Sequence, residues 1–347
     1  MKKIFNKKRG ELTTQQIVGL IILITSFAVI LFFFFRLNLG ETTDKEICHN
    51  SVVLKGKGTL AKLAAGGGSL DCRTNYVCIS GGGKCEGINP TETKKINLID
   101  SEKPEDIKKN KEAIMEVIAD EMADCWWMFG EGKIDYIETG LTKGNYCSIC
   151  SQILFDDSLK EINVGSEIEI KNIKEGIISK DKLYDYLAIK KMPRKDINYA
   201  EYFFGTNDIE KIKKRSVEEK KASTFGYIKV GEQYFVVMGI INEVSILSWA
   251  GAGAAAGSIA AGGLAVVGTV FFVSNPVGWV SGALIIGLSA GVAGTVGSEI
   301  SGFFGPEIGA ITVKGKGIEN QFMAPTIVEA KSDKFNYLSC DDVITYN

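Results

Sequence analysis

Eight cysteines and one histidine are the residues of this chain whose types allow redox, metal-binding or cross-linking chemistry. A single imidazole, His49, excludes a zinc site built on several histidines of one chain. A Ser-His-Asp or Cys-His catalytic unit would have to use that same residue. We interpret His49, beside the first cysteine, as a spacer residue. The cysteines are Cys48, Cys72, Cys78, Cys85, Cys125, Cys147, Cys150 and Cys340.

The number and spacing of the cysteines favour structural disulfides. Eight is an even number, and disulfides persist mainly outside the cytoplasm. Eight cysteines allow about a hundred pairings, so the full connectivity is not deducible. Proximity in the sequence predicts that Cys72, Cys78 and Cys85 pair with each other or with Cys48.

The motif Cys147-x-x-Cys150 could instead be a zinc half-site or a redox centre. A zinc ribbon needs a second C-x-x-C, which the sequence lacks. A thioredoxin-like centre follows a strand and opens a helix, whereas Gly144-Asn145 precedes this motif. Thiol oxidoreductase activity through Cys147 and Cys150 is therefore the least favoured of three functional hypotheses.

The sequence lacks several common catalytic and nucleotide-binding motifs. It has no P-loop, no G-x-G-x-x-G behind a strand and no H-E-x-x-H. We therefore predict a protein that is not an enzyme and needs no cofactor. The 40 basic and 42 acidic residues leave a net charge of −2, so nucleic acid is not an expected partner.

The first 36 residues predict a membrane anchor. Residues 17–35 form an uncharged apolar run, and five cations precede it between positions 2 and 9. Such a run is long enough to span the ~30 Å hydrocarbon core as a helix. The positive-inside rule places 1–16 in the cytoplasm, a transmembrane helix at 17–36, and the remaining chain outside. The expected partner of this segment is a lipid bilayer.

The N-terminal sequence KKRGELTTQQIVGLIILI resembles archaeal type IV prepilin-like leaders. In that family a basic region ends in glycine, and the hydrophobic helix follows the cleavage point. The resemblance implies a leader cleaved between Gly10 and Glu11. An uncleaved anchor is the alternative, because six polar or weakly apolar residues separate Gly10 from the run. The remaining chain shows no such resemblance.

Periodicity predicts an α+β body over 37–243. Apolar residues recur every three or four positions from 104 to 129, which indicates an amphipathic helix. A second helix is predicted at 180–191, where Pro193 follows its end. Short apolar or alternating runs predict strands, at 51–54, 76–80, 164–170, 227–230, 234–240 and 311–313; those at 227–230 and 234–240 are expected to form a hairpin.

Residues 244–304 predict a hydrophobic helical hairpin rich in glycine. No charged side chain occurs between 244 and 298, and Asn275-Pro276 divides the segment into halves at 246–273 and 277–304. Small residues at four-residue spacing let helices approach closely. The helix-packing candidates are Gly253, Gly257, Gly278, Gly282, Gly287, Gly291 and Gly294. A hairpin buried in a soluble domain is the alternative to one in a membrane. The tail, 305–347, is expected to pack on the body.

Together these patterns predict a membrane-anchored cell-surface structural or interaction protein with a disulfide-stabilised ectodomain. Its expected protein partners are further copies of itself or other surface proteins. The second hypothesis is a membrane-active or pore-forming protein that uses 246–304.

Overall fold

The structure, a computed structural model, describes the chain in ordered stretches. They are residues 14–36, 43–56, 70–86, 89–137, 144–161, 176–193, 195–208, 226–242, 269–274, 280–286, 300–304, 310–315, 320–330, 332, 335, 338, 340 and 342–344. The chain divides into two units, Met1–Thr43 and Asp44–Asn347.

The first unit contains helix α1, Thr14–Arg36, whose large apolar side chains between Ile17 and Ile30 are exposed. Across the described ranges, the structure contains no helix with both the length and the apolar character needed for a membrane crossing. The transmembrane helix predicted at 17–36 is therefore wrong.

The second unit opens with helix α2, Asp44–Gly56, where the sequence predicted a strand at 51–54. Cys48 and Val52 lie one turn apart and are both buried, which is the i, i+4 pattern of a helix face. Acidic residues occupy its first turn and Lys55 its last, as the helix dipole favours. The burial of this helix face and the favourable charges at the helix ends outweigh the β-propensity of Val52-Val53.

Four more helices follow, and the two long ones confirm the periodicity of the sequence. Helix α3, Pro104–Met128, begins at a proline, which fits the first helical turn. The others are α4, Ser158–Glu161, α5, Lys180–Ile189, and α6, Tyr199–Phe204. Side chains cap the last two: Ser179 Oγ accepts from Asp181 N, and Asn198 Oδ1 accepts from Glu201 N.

The described strands make one large mixed sheet and two small ones. Their bounds are β1 Asn75–Ser80, β2 Glu92–Lys95, β3 Gly144–Phe155, β4 Ile177–Ser179, β5 Tyr227–Lys229, β6 Tyr234–Asn242, β7 Thr269–Ser274, β8 Val280–Ile286, β9 Ile300–Phe304, β10 Ala310–Lys314, β11 Gln321–Glu329 and β12 Asp342–Ile344. The large sheet has the order β2-β1-β3-β6-β11-β10-β9, with β12 beside β3.

The long strand β3 organises the large sheet. One of its edges pairs in parallel with β1 at 151–155 and with β12 at 146–148. Its other edge pairs antiparallel with β6, and β11, β10 and β9 continue antiparallel from there. Strand β11 shifts register between Met323 and Thr326, so Pro325, which has no N–H to donate, lies at the irregularity.

Strands β5 and β6 are present as the sequence predicted, but they do not form the predicted hairpin. Strand β5 pairs with β4, and β6 pairs with β3 and β11. The short link between them suggested a hairpin, but it cannot reveal these more distant partners.

Both faces of the large sheet are covered. The main hydrophobic core lies on one face, where α3 packs against β6 and β11 and side chains of α5 and α6 join the cluster. A second cluster on the other face joins Cys147, Ile149 and Phe235 to Phe335 and Leu338 of the C-terminal segment. The α+β body with a mixed sheet is thus the part of the fold prediction that is correct.

The helical hairpin predicted over 244–304 is wrong wherever the structure describes this segment. Strands β7 and β8 pair antiparallel with each other, and β9 joins the large sheet. Their sequences are rich in Val, Ile and Phe, which fit a pleated strand better than a helix. Hydropathy without charge does not distinguish a short buried strand from part of a helix, and this ambiguity caused the error.

Candidate binding cleft and disulfide framework

All eight cysteines are paired in four disulfides. The bonds are Cys48–Cys72, Cys78–Cys85, Cys125–Cys150 and Cys147–Cys340. The first two confirm the pairing expected from sequence proximity. The first links α2 to the segment before β1, and the second closes the turn after β1.

Cys147 and Cys150 belong to different disulfides on opposite faces of the sheet. The two residues are three positions apart on strand β3, where side chains alternate between faces, and Cys150 faces the main core beneath α3. Cys147 faces the second cluster, where it bonds to Cys340. The two sulfurs are not bonded to each other, as they would be in an oxidised C-x-x-C redox centre.

A buried carboxylate fixes the loop that contains Cys78–Cys85. Asp156 follows β3 and is 1% exposed. It accepts hydrogen bonds from Ser80 Oγ at 2.7 Å, from Ser158 Oγ at 2.6 Å and from Leu159 N at 3.2 Å. Burial raises the pKa of Asp156, but hydrogen bonds from the Ser158 and Ser80 hydroxyls and from the backbone of Gly81 and Gly83 outweigh that effect and lower it below its ordinary value. The Asp156 side chain therefore connects the turn at residues 81–83 to α4.

An ion-pair cluster connects α2 to α3. Lys45 Nζ lies 3.3 Å from Glu121 Oε1 and 2.5 Å from Asp124 Oδ2. Glu121 is only 2% exposed, and burial raises its pKa although Lys45 opposes the effect. Burial lowers the pKa of Lys45, but the neighbouring carboxylates reverse this and raise it above the ordinary value. Each charge is thus tolerated because the other is present.

The single histidine packs on a tryptophan. The rings of His49 and Trp127 are stacked at 4.2 Å with an interplanar angle of 10°. His49 Nδ1 lies 2.7 Å from the Trp127 carbonyl oxygen, which can only accept, so Nδ1 carries the proton. The neighbouring Trp126 is buried against Phe322. These contacts assign His49 and both tryptophans to packing.

A small cleft lies between the C-terminal corner of α3 and the start of α6. Its cavity volume is ≈ 240 Å³. Residues of the corner form one wall, and residues from the α5–α6 connection and α6 form the other. The lining residues are Glu131, Lys133, Lys195, Ile197, Glu201 and Tyr202. The cleft contains no cysteine or histidine, so its chemistry is that of charges and one aromatic ring.

The carboxylate of Glu131 is held in place by both its backbone and its side chain. Its φ of 58° is left-handed, and the flanking Gly130 and Gly132 also have positive φ. A non-glycine residue in that region carries a conformational cost. Glu131 Oε1 accepts from Tyr202 Oη at 2.7 Å, and Oε2 accepts from Lys133 Nζ.

The surroundings of the Glu131 carboxyl group lower its pKa. Burial raises the pKa of Glu131, but the hydrogen bonds from Lys133 and Tyr202 and the charges of Lys133 and Lys195 lower it to about 2. Glu131 is consequently ionised at any ordinary pH. The cleft thus presents a permanent, oriented negative charge.

Lys195 lies over the Tyr202 ring, which forms the second rigid wall of the cleft. Its Nζ is 3.9 Å from the centroid of the Tyr202 ring, a short cation–π contact. The same nitrogen is 3.6 Å from Glu131 Oε1, too far for a good hydrogen bond. The cleft therefore places an ammonium group between a carboxylate and an aromatic face.

The other sites predicted from the sequence are mostly outside the described residues. Gly10 and Glu11 are among them, as are six of the seven helix-packing glycines, Gly253, Gly257, Gly278, Gly287, Gly291 and Gly294. Gly282 is described; it lies in strand β8 opposite Val273. No group of three potential metal ligands occurs among the residues that the structure describes.

Sequence reasoning missed the cleft because its two walls are 71 residues apart in the chain. One signal was available. A glutamate between two glycines directly after a helix indicates a left-handed corner, and such a corner aims a side chain in a fixed direction.

Comparison of this chain with protein-family models, with functionally described proteins and with solved structures gives no match.

Proposed function

We propose that the protein is an extracytoplasmic structural or interaction protein whose body is stabilised by disulfides. The observation that carries the proposal is the pairing of all eight cysteines in four disulfides. Bonds in this number persist in oxidising compartments, whereas reducing systems keep cytosolic thiols free. The proposal does not depend on a membrane-spanning helix.

The disulfides have the placement of structural cross-links. Three of the four join segments from different parts of the fold, and Cys125–Cys150 and Cys147–Cys340 hold opposite faces of the same sheet. Most of their cysteines are almost fully buried, which restricts access by a reductant. A catalytic disulfide needs an accessible sulfur, so this geometry favours a structural role over thiol exchange.

An interaction role fits the cleft better than catalysis does. Its groups are a permanently ionised carboxylate, lysines and a phenol whose pKa burial and Glu131 raise well above its ordinary value. Neither this carboxylate nor this phenol is poised to exchange a proton near neutral pH, as a general acid or base would need. The membrane-active alternative relied on a helical hairpin over 246–304, and the described residues of that segment form β7, β8 and β9 instead.

Labelling of surface lysines in intact cells tests the location. Lys108, Lys109 and Lys191 have side chains 77%, 64% and 68% exposed. An amine-reactive reagent that cannot cross membranes should modify peptides that contain them before lysis, while a cytoplasmic marker stays unmodified. Modification of these peptides only after lysis would contradict the proposal.

A further inference from the structure

The rigid and the displaceable parts of the cleft differ in charge. The rigid parts are the Glu131 carboxylate, fixed by its backbone corner and by the Tyr202 hydroxyl, and the ring of Tyr202, a residue that is 8% exposed. The lysine side chains, Lys133 and Lys195, are 50% and 42% exposed. Long exposed lysines exchange positions at little cost, because exposed ion pairs contribute little to stability. The fixed groups therefore form a receptor for a cation.

Lys195 occupies this receptor incompletely. Its ammonium stacks on Tyr202 but lies 3.6 Å from Glu131 Oε1, beyond good hydrogen-bonding distance. Each carboxylate oxygen accepts one bond in the structure, from Tyr202 or from Lys133, and each can accept another. A planar guanidinium could stack on the ring and donate to the carboxylate at the same time. Arginine suits these groups better than lysine does.

The size and the charge of the cleft agree with one incoming side chain. A volume of ≈ 240 Å³ is below the ~300–1,000 Å³ of small-molecule pockets. Among the lining residues that the structure describes, the charges of Glu131, Glu201, Lys133 and Lys195 cancel, so withdrawal of Lys195 leaves this set with one net negative charge. A guanidinium group restores neutrality.

We propose that this cleft receives the guanidinium group of an arginine on a partner protein, and that Lys195 fills the site in the free protein. The proposal rests on the interaction role given above and identifies the chemistry of the partner. The Glu131 corner and Tyr202 bind the guanidinium, while Lys195 moves toward solvent. Lys195 thereby acts as an internal competitor that lowers affinity for weak cationic ligands.

Titration of the purified full-length chain with N-acetyl-arginine methylamide tests the proposal. A dissociation constant in the millimolar range is expected for so small a ligand, read from chemical shifts of a ¹³C-labelled Tyr202 ring. The Lys195→Met variant should bind about five-fold more tightly, since it removes the internal competitor. Glu131→Gln and Tyr202→Leu should each abolish detectable binding. Binding by the purified chain does not depend on its location in the cell. A negative titration would therefore contradict the arginine site alone, whereas a negative surface labelling would contradict the extracytoplasmic location.

Matched controls separate this site from general electrostatics. Lys191→Met removes an exposed lysine that pairs with Asp196 in the same connection, and it should leave the affinity unchanged. N-acetyl-citrulline methylamide, an uncharged analogue, should not bind. Equal binding of the citrulline analogue, or an unchanged affinity in Lys195→Met, would overturn the proposal. Sulfate binding that disappears in Lys195→Met would also overturn it, because the lysines would then be the receptor.

Discussion

Glu121 illustrates how single side chains stabilise the contact between α2 and α3. Its carboxylate is 2% exposed and has Lys45 Nζ 3.3 Å away, while the lysine itself is 20% exposed. Removing one partner of such a pair leaves a buried charge without compensation, which costs several kcal/mol unless the remaining group becomes neutral. The direction of the Glu121 pKa indicates that protonation is its available route.

The Lys45→Met substitution should therefore destabilise the fold in a pH-dependent manner. Without Lys45, burial raises the pKa of Glu121 further above its ordinary value of 4.5. A raised folded-state pKa gives stability that is present below the unfolded pKa and lost as pH rises. We expect a loss of about 2–3 kcal/mol at pH 7 and a much smaller loss at pH 4, measured by urea unfolding.

The exposed pair of Lys190 and Glu112 supplies the control. Its charged atoms are 2.8 Å apart, and the side chains are 45% and 30% exposed. Lys190→Met should cost less than ~0.5 kcal/mol at both pH values. If Lys45→Met behaves in the same way, the pair of Lys45 and Glu121 does not stabilise the packing of α2 on α3.

At the scale of elements, the end of α3 determines where the cleft lies. Three successive residues, Gly130, Glu131 and Gly132, have positive φ and turn the chain sharply away from the helix. Gly130 also lies against Ile134: a Cβ there would be 2.6 Å from Ile134 Cδ1. The corner therefore needs glycine for its backbone conformation and for close packing.

Gly130→Ala should destabilise the protein by more than the cost of placing an alanine in the left-handed region. Gly205, at the end of α6, has a similar φ of 69° but no atom within 4 Å of a built Cβ. Gly205→Ala should cost about 1 kcal/mol, and Gly130→Ala about 2–3 kcal/mol because Ile134 must also move. Thermal unfolding compares the two. Equal losses would mean that Ile134 accommodates the new methyl group without strain.

The elements also show which features of the fold the sequence can predict. The apolar period of α3 and the proximity of Cys78 to Cys85 are local signals, and both predictions are correct. The position of strand β6 is also predicted correctly, but its partners β3 and β11 come from distant segments that no local pattern identifies. The sequence predicts a helix for the residues of β8, because an uncharged run that contains Val and Ile has no unique period. The contact between Tyr202 and Glu131 is likewise not predictable, because the two residues are far apart in the sequence.

At the scale of the whole molecule, the disulfides cross-link segments that are far apart in the chain. Cys147–Cys340 closes a separation of 193 residues, whereas Cys78–Cys85 closes 7. Cross-links restrict the unfolded chain, and the restriction grows with the logarithm of the loop length. The bond to Cys340 thus connects the C-terminal segment to the centre of the sheet.

Removal of Cys147–Cys340 should destabilise the fold more than removal of Cys78–Cys85, because it opens the longer loop. The chain-entropy relation gives a loss of roughly 5 kcal/mol for Cys147→Ala with Cys340→Ala, and roughly 2 kcal/mol for Cys78→Ala with Cys85→Ala. The order of the losses, measured by guanidinium unfolding, is the prediction. The reverse order would mean that packing around the sulfurs, and not the length of the closed loop, determines the contribution of each bond.

Disulfide mapping of the protein isolated from its native cells tests the central claim most directly. Free thiols are blocked at the moment of lysis, and peptides are then identified without reduction. The expected result is four cross-linked pairs, Cys48–Cys72, Cys78–Cys85, Cys125–Cys150 and Cys147–Cys340, with no blocked thiol. Recovery of mostly blocked, unpaired cysteines would contradict both the disulfide framework and the extracytoplasmic role that we infer from it.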